Sequence, residues 1–306
     1  MPKRLFRLFV SAAVWVLDSI VDGVRTLLGV STSSRWVVLY YHTVTAQGAG
    51  AFARQMEMAL RCALPVPADA TVLPSGKRCF SVTFDDALVV SAEHALPVLR
   101  ARGIPAAVFV PTGFLGRTAG WEMVRGCSEE AQRVMSEAEL LQLDAQLVSL
   151  GSHSVTHPCL STLPATELER ELTDSRSALE AMTGREVTMF SFPYGDYDAR
   201  VCAALHKTGY TRAFSITPTL VTSEQVPLVV GRVKVDPSDW PIEFFLKIRG
   251  AYRWLACASR TKAHFVPRKI NGRIVAPRAS SCPAARGKCR MVGRMTGETI
   301  EQGASQ

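Results

Sequence analysis

Residues 78–86 read RCFSVTFDD. Arg78–Phe84 is a short apolar, β-branched run that reads as a buried strand, and Asp85 and Asp86 close it. Adjacent aspartates can cap a helix, sit in solvent or serve a site. At the end of an apolar strand the last case gains weight. Burying two carboxylates costs several kcal/mol unless a cation compensates, and α/β proteins collect their chemistry at the carboxyl ends of strands.

Working outward, strands alternate with helices. Trp36–Tyr41 (WVVLYY), Ala106–Val110 (AAVFV), Val187–Phe192 (VTMFSF) and Arg212–Ile216 are predicted as strands. Ala92–Arg102, Ser136–Leu150, Pro164–Thr183 and Asp198–Lys207 are predicted as helices, the second running into a short strand before Gly151. This alternation predicts an α/β fold with a parallel sheet covered on both faces, and the short strands suit a barrel.

Other strand ends are polar too. Tyr41-His42 ends the first, His153 and His157 follow the Ser149–Gly151 segment, and Pro193-Tyr194-Gly195 closes Val187–Phe192. One aspartate and two histidines can form a metal triad with open coordination positions, as catalytic zinc requires. Taken singly, each has a plainer reading. H-x-x-x-H also lies on helix faces and in tight loops without metal, and a lone His42 is as readily structural. Shared metal chemistry explains the combination.

The 306 residues are 47% hydrophobic, enough for a sizeable core, which excludes a wholly disordered chain. No window holds 18 uninterrupted apolar residues, so no membrane span is predicted. The net charge of +8 sits mostly in one place: between Arg260 and Gly297 there are ten Lys or Arg and no Asp or Glu. The remainder is close to neutral, so no specific nucleic-acid partner is expected. Residues 259–306 are expected to be a basic, disordered tail. The eight cysteines are scattered and read as reduced thiols, with Cys282 and Cys289 a weak metal or redox pair.

Residues 1–34 form a further unit. Arg4, Arg7, Ser11, Asp18, Asp22 and Arg25 fall within about 60° of one another at 100° per residue, and the rest of the circumference is mostly apolar. Three readings stay open: a helix packed on the domain through its apolar face, an in-plane membrane anchor, or an export signal. In the anchor reading Phe9 and Trp15 enter the acyl boundary, with Lys3, Arg4 and Arg7 near lipid phosphates. The expected location is accordingly cytoplasmic or peripheral to an anionic membrane, with export by an uncleaved segment also open.

Ser81-Val82-Thr83-Phe84-Asp85-Asp86 resembles the T-F-D-D motif of the polysaccharide deacetylases, the NodB-homology or carbohydrate esterase family 4 fold. His153-Ser154-Val155-Thr156-His157 resembles its H-[ST]-x-x-H motif, and Phe192-Pro193-Tyr194-Gly195 its third motif, which normally ends R-x-P-Y-G. The resemblance runs from about Val37 to Trp254 and defines an expected domain at 35–258. It implies a distorted, incomplete (β/α) barrel and a metal-dependent hydrolase that removes N-acetyl groups from a poly- or oligosaccharide. It further implies that Asp85 is the catalytic base and that Asp86, His153 and His157 hold Zn2+ or another divalent transition metal. The backbone N–H of Tyr194 would stabilise the oxyanion.

The family's late Leu-x-His motif is absent. Tyr41-His42 instead resembles the Tyr-His pair of the poly-N-acetylglucosamine deacetylases of exopolysaccharide systems, which implies His42 as general acid. Ser191 stands where many members have an arginine that orients the base, and Ala87 replaces a glycine. If position 87 needs a positive φ, alanine costs about 1 kcal/mol there. These departures motivate an alternative: a catalytically weakened member that binds glycan or a membrane assembly. A basic, membrane-associated adaptor is a third reading, but it leaves the Asp/His constellation unexplained. Trp240, Phe244 and Phe245 read as core or docking residues rather than a sugar platform.

Overall fold

The computed structural model describes residues 2–30, 33–121, 132–223, 225–263, 268–270 and 273–275. The strands are β1 (Arg35–Tyr41), β2 (Leu64–Pro65), β3 (Arg78–Phe84), β4 (Ala106–Val110), β5 (Val148–Ser152), β6 (Met189–Ser191), β7 (Arg212–Ser215) and β8 (Val229–Lys234). The helices are α1 (Pro2–Leu27), α2 (Ala46–Cys62), α3 (Val89–His94), α4 (Leu96–Arg100), α5 (Glu137–Leu141), α6 (Ala165–Thr183), α7 (Ala199–Lys207), α8 (Pro241–Ile248) and α9 (Trp254–Ala263).

All pairings of β1–β8 are parallel, and β1 pairs with both β3 and β8. Seven strands therefore close into a ring in the order β1, β3, β4, β5, β6, β7, β8. β2 lies outside it, on the edge of β3 at Cys79 and Phe80, before β4 joins at Val82. The β5–β6 seam rests on one residue pair, Ser152 with Phe190. Seven strands and one thin seam make this the distorted, incomplete α/β barrel that the sequence implied.

The strands read as unbroken apolar runs because both faces are buried. Trp36, Val38, Cys79, Ala107, Phe109 and Phe214 fill the inside of the ring. Their neighbours Val37, Leu39, Phe80, Val82 and Val108 pack outward under the helices. This period of two turns Thr83 of β3, Tyr40 of β1 and Arg232 of β8 into the mouth of the ring.

Two predicted helices differ from the sequence reading, and other elements were missed. Ser136–Leu150 is not one helix: a Ser136/Glu139 capping box starts α5, which ends at Leu141, and the chain re-forms as β5. Gly151 lies within that strand. A Cβ there would sit 2.5 Å from the Phe109 ring, so glycine makes room for the barrel core. Ala92–Arg102 is split between α3 and α4, with Pro97 in the first turn of the second. β8 and α2 were not predicted.

α1 lies on the outside of the ring and corrects the expected packing. Its polar stripe faces the domain. Arg4 pairs with Glu243 at 2.6 Å and lies 4.3 Å over Trp240. Asp18 receives both arms of Arg253 at 2.7 Å, and Asp22 pairs with Arg35 and Arg78. The Trp254 indole N–H donates to Ser11 Oγ at 2.9 Å, and Trp15 packs edge-on against Phe245. Leu8, Ala12, Val14 and Trp15 are the apolar residues of α1 that pack against the core. Arg4 and Trp15 thus do not point toward lipid, as the anchor reading had them. Phe244 is core, and Trp240 and Phe245 are docking residues.

No helix among the described residues is long and apolar enough to cross a membrane. α9 runs across residue 259, where the tail was expected to begin, and residues 268–270 and 273–275 pair as antiparallel strands. His264, Cys282 and Cys289 lie outside the described residues. Cys62 and Cys79 are free thiols.

Candidate metal centre and catalytic site

The loops leaving β1, β3, β5 and β6 meet at the carboxyl end of the ring. They bring together His42, Asp85, Asp86, His153, His157 and Tyr194, all six of the residues singled out from sequence. The backbone there is unusual. Asp86, Ala87, Ser154, His157 and Tyr194 are the non-glycine residues with positive φ among those described, from 48° to 68°. Such conformations cost about 1–2 kcal/mol each for L-residues, and they cluster where a site imposes them. Ala87, at φ 48°, meets the condition under which its replacement of glycine carries a cost.

Asp86 and Asp85 are both buried, with different partners. Asp86 Oδ1 lies 3.5 Å from His153 Nε2 and 3.5 Å from His157 Nε2, and the two nitrogens are 3.2 Å apart. A tetrahedral zinc ion with bonds of about 2.0–2.1 Å has ligand–ligand edges of about 3.3–3.4 Å, so these three atoms match one face of such a site. Other observations fit the same occupant. Asp86 Oδ1 is buried and accepts no hydrogen bond among the described residues. His153 Nδ1–H donates to the Ser191 carbonyl at 2.7 Å, which leaves the Nε2 lone pair facing the triangle. Burial, and then the charge of His153, push the His157 pKa down to about 3, so its imidazole is neutral and able to coordinate. The residues fit a divalent transition metal.

Asp85 has a cation of its own. Arg232, fully buried in β8, clamps it with two 2.7 Å hydrogen bonds and also donates to Thr83 Oγ1 and Ser191 Oγ. Ser191 Oγ donates to Asp85 Oδ1 at 3.1 Å. The guanidinium is packed between the rings of Tyr40, Phe109 and Phe214. Burial alone would raise the Asp85 pKa. The charge of Arg232, helped by His153 and His42, overrides it and holds the carboxyl well below the usual carboxylate range. The compensating cation expected for a buried carboxylate is, for Asp85, Arg232. The arginine missing at position 191 is thus supplied from β8, and Ser191 Oγ touches both it and Asp85.

His42 extends from the end of β1, with Nδ1 3.5 Å from Asp86 Oδ2. Burial would raise the Asp86 pKa as well, but a hydrogen bond with His42 and the charges of the histidines lower it. Pro193–Gly195 forms a tight turn that sets the Tyr194 ring edge-on to His157 at 4.7 Å. Trp121, which sequence reasoning passed over, stacks on His157 at 4.6 Å, with Phe114 edge-on to Trp121. His94 and His206 stay in α3 and α7, away from this constellation.

The fold and the donor set define an α/β-barrel protein with a candidate site for one divalent metal. Its class is narrower than that: residues 73–213 match the family model for polysaccharide deacetylase, so this stretch is a polysaccharide deacetylase domain. The chain is 26% identical over 161 residues to the Bacillus subtilis (strain 168) protein YxkH, named as a polysaccharide deacetylase, covering 53% of each chain. It thus spans about half the length of that curated relative. Among solved structures, IcaB from Ammonifex degensii matches with a TM-score of 0.57 at 24% identity, over 71% of this chain and 98% of IcaB. The Streptococcus pyogenes deacetylase PplD matches with a TM-score of 0.58 at 17% identity, over 71% and 99%. These two likenesses carry the fold.

Proposed function

We propose that the protein is a zinc-dependent N-deacetylase that removes N-acetyl groups from an exopolysaccharide or another N-acetylated glycan. The observation that carries this reading is the donor triangle of Asp86, His153 and His157 beside a separately clamped carboxylate, Asp85. The name of YxkH, and that of a Pestalotiopsis chitin deacetylase 25% identical over 131 residues, support the substrate class.

Asp86, His153 and His157 would hold a divalent metal, which would supply Lewis-acid chemistry, acidifying a water and polarising the acetyl carbonyl. The other roles fall to the chain. Asp85 takes the proton of the attacking water. Arg232 keeps Asp85 ionised and fixed in orientation. The Tyr194 backbone N–H donates to the developing oxyanion. His42 gives its proton to the leaving amine. Trp121 and Tyr194, both against His157, offer rings against which a sugar can lie.

The weakened-member alternative loses one of its supports, because Arg232 fills the role left open at Ser191. Amine release from chitooligosaccharides and poly-N-acetylglucosamine tests the reading. Wild type should release amine and Asp85→Asn should not, while keeping its metal. Absence of amine from both glycans with fully metallated wild type would remove the proposal.

A further inference from the structure

An amphipathic helix on a protein surface ordinarily turns its apolar stripe to the protein and its charges to water. α1 does the reverse. Both its carboxylates point inward, Asp18 to Arg253 and Asp22 to Arg35 and Arg78. On the opposite side Phe6, Phe9, Leu17, Ile20, Val24 and Leu27 are exposed, Phe9 by 75% and Leu27 by 88%. At 100° per residue these six fall within about 80° of one another, and they run about 30 Å along the helix. Lys3 is exposed beside this stripe, Arg7 and Arg25 are exposed on the edge of the polar stripe nearest it, and none of the three meets a carboxylate among the described residues.

We propose that the outer stripe of α1 is a docking surface for an anionic lipid bilayer. The helix lies in the interfacial plane and carries the barrel on its polar side. Charge selects this occupant. With both acids engaged inward, the charges left exposed on the helix are cationic, as an anionic headgroup layer attracts. A second copy of the chain would bring the same three cations against themselves. The inference goes beyond the deacetylase reading and does not depend on it.

The docking contacts also orient the barrel. Arg4 lies beside Ser238 and Glu243, just past the carboxyl end of β8. Asp22 lies beside Arg35 and Arg78, at the amino ends of β1 and β3. The helix thus runs antiparallel to the strands along the flank of the ring. With α1 flat on lipid, the barrel lies on its side and its mouth opens along the membrane plane.

Flotation of the full chain with phosphatidylcholine vesicles, with and without phosphatidylglycerol, tests the proposal. Wild type should float with the phosphatidylglycerol vesicles, and less so as salt is raised. Phe9→Glu/Leu17→Glu, on the exposed face, should keep the wild-type thermal midpoint and bind these vesicles about a hundredfold more weakly. Arg7→Glu/Arg25→Glu should lose the preference for phosphatidylglycerol. Wild type that stays unbound would overturn the proposal, as would a Phe9→Glu/Leu17→Glu variant that binds like wild type. So would a wild-type dimer in light scattering that the same double variant dissolves, because the stripe would then join two copies of the chain.

Discussion

The mouth of the barrel and the α1 flank both hold charge out of water, and they do it differently. On the flank each carboxylate meets a guanidinium: Asp18 has Arg253, and Asp22 has Arg35 and Arg78. What stays unmatched there is apolar. At the mouth the apolar surface is closed by Phe109 and Phe214, and what stays unmatched is polar: Asp86 Oδ1 between two imidazole nitrogens. Asp85, one residue away, is fully matched by Arg232. The unmatched groups, rather than the buried charges as such, mark where each region meets a partner.

The comparison breaks most severely if Arg232 is dispensable. Arg232→Met leaves Asp85 buried without its cation and should cost about 3–5 kcal/mol at neutral pH. The deficit should shrink on acidification as the carboxyl protonates, and Arg232→Met/Asp85→Asn should recover much of it. Urea titrations at two pH values check this. An undisturbed single variant would show that the clamp is not what holds Asp85.

His42 tests the mouth from its open side. His42→Ala should keep the fold while kcat falls about 10²–10⁴-fold, the usual cost of losing a general acid. The alkaline limb of the pH–rate profile should vanish with it. Full kcat with an unchanged profile would make His42 a structural partner of Asp86 alone.

A smaller effect sharpens the claim that His157 is kept neutral. Its folded pKa of about 3 lies below the unfolded value of about 6.5. Between these values the unfolded state binds the extra proton. Metal-free protein should therefore lose stability as pH falls through this window, at up to about 1.4 kcal/mol per pH unit from this group, with the effect fully absent above it. His157→Gln should flatten the slope in thermal melts. An unaltered slope would assign the protonation elsewhere.

How much of this was legible in the sequence follows from where each partner lies. Asp85, Asp86, His153 and His157 stood out because the chemistry fixes both their types and their places at strand ends. Arg232 did not. It is one of two basic residues in VVGRVK, and it reaches Asp85, 147 positions earlier, only because β1 closes the ring between β3 and β8. Trp121 reaches His157 from a loop with no period to read. The two faces of α1 were plain from their spacing, but their orientation was not. Arg35, Arg78, Glu243 and Arg253 are scattered along the chain, and only the fold gathers them opposite the polar stripe.

The central claim is that Asp86 is a ligand and Asp85 is not. Zinc titration of metal-free protein, followed by calorimetry, separates the two without any assay of turnover. The account predicts one tight site in wild type, an equally filled site in Asp85→Asn, and loss of that site in Asp86→Ala. Wild-type zinc affinity in Asp86→Ala, or loss of zinc from Asp85→Asn with the fold intact, would contradict it.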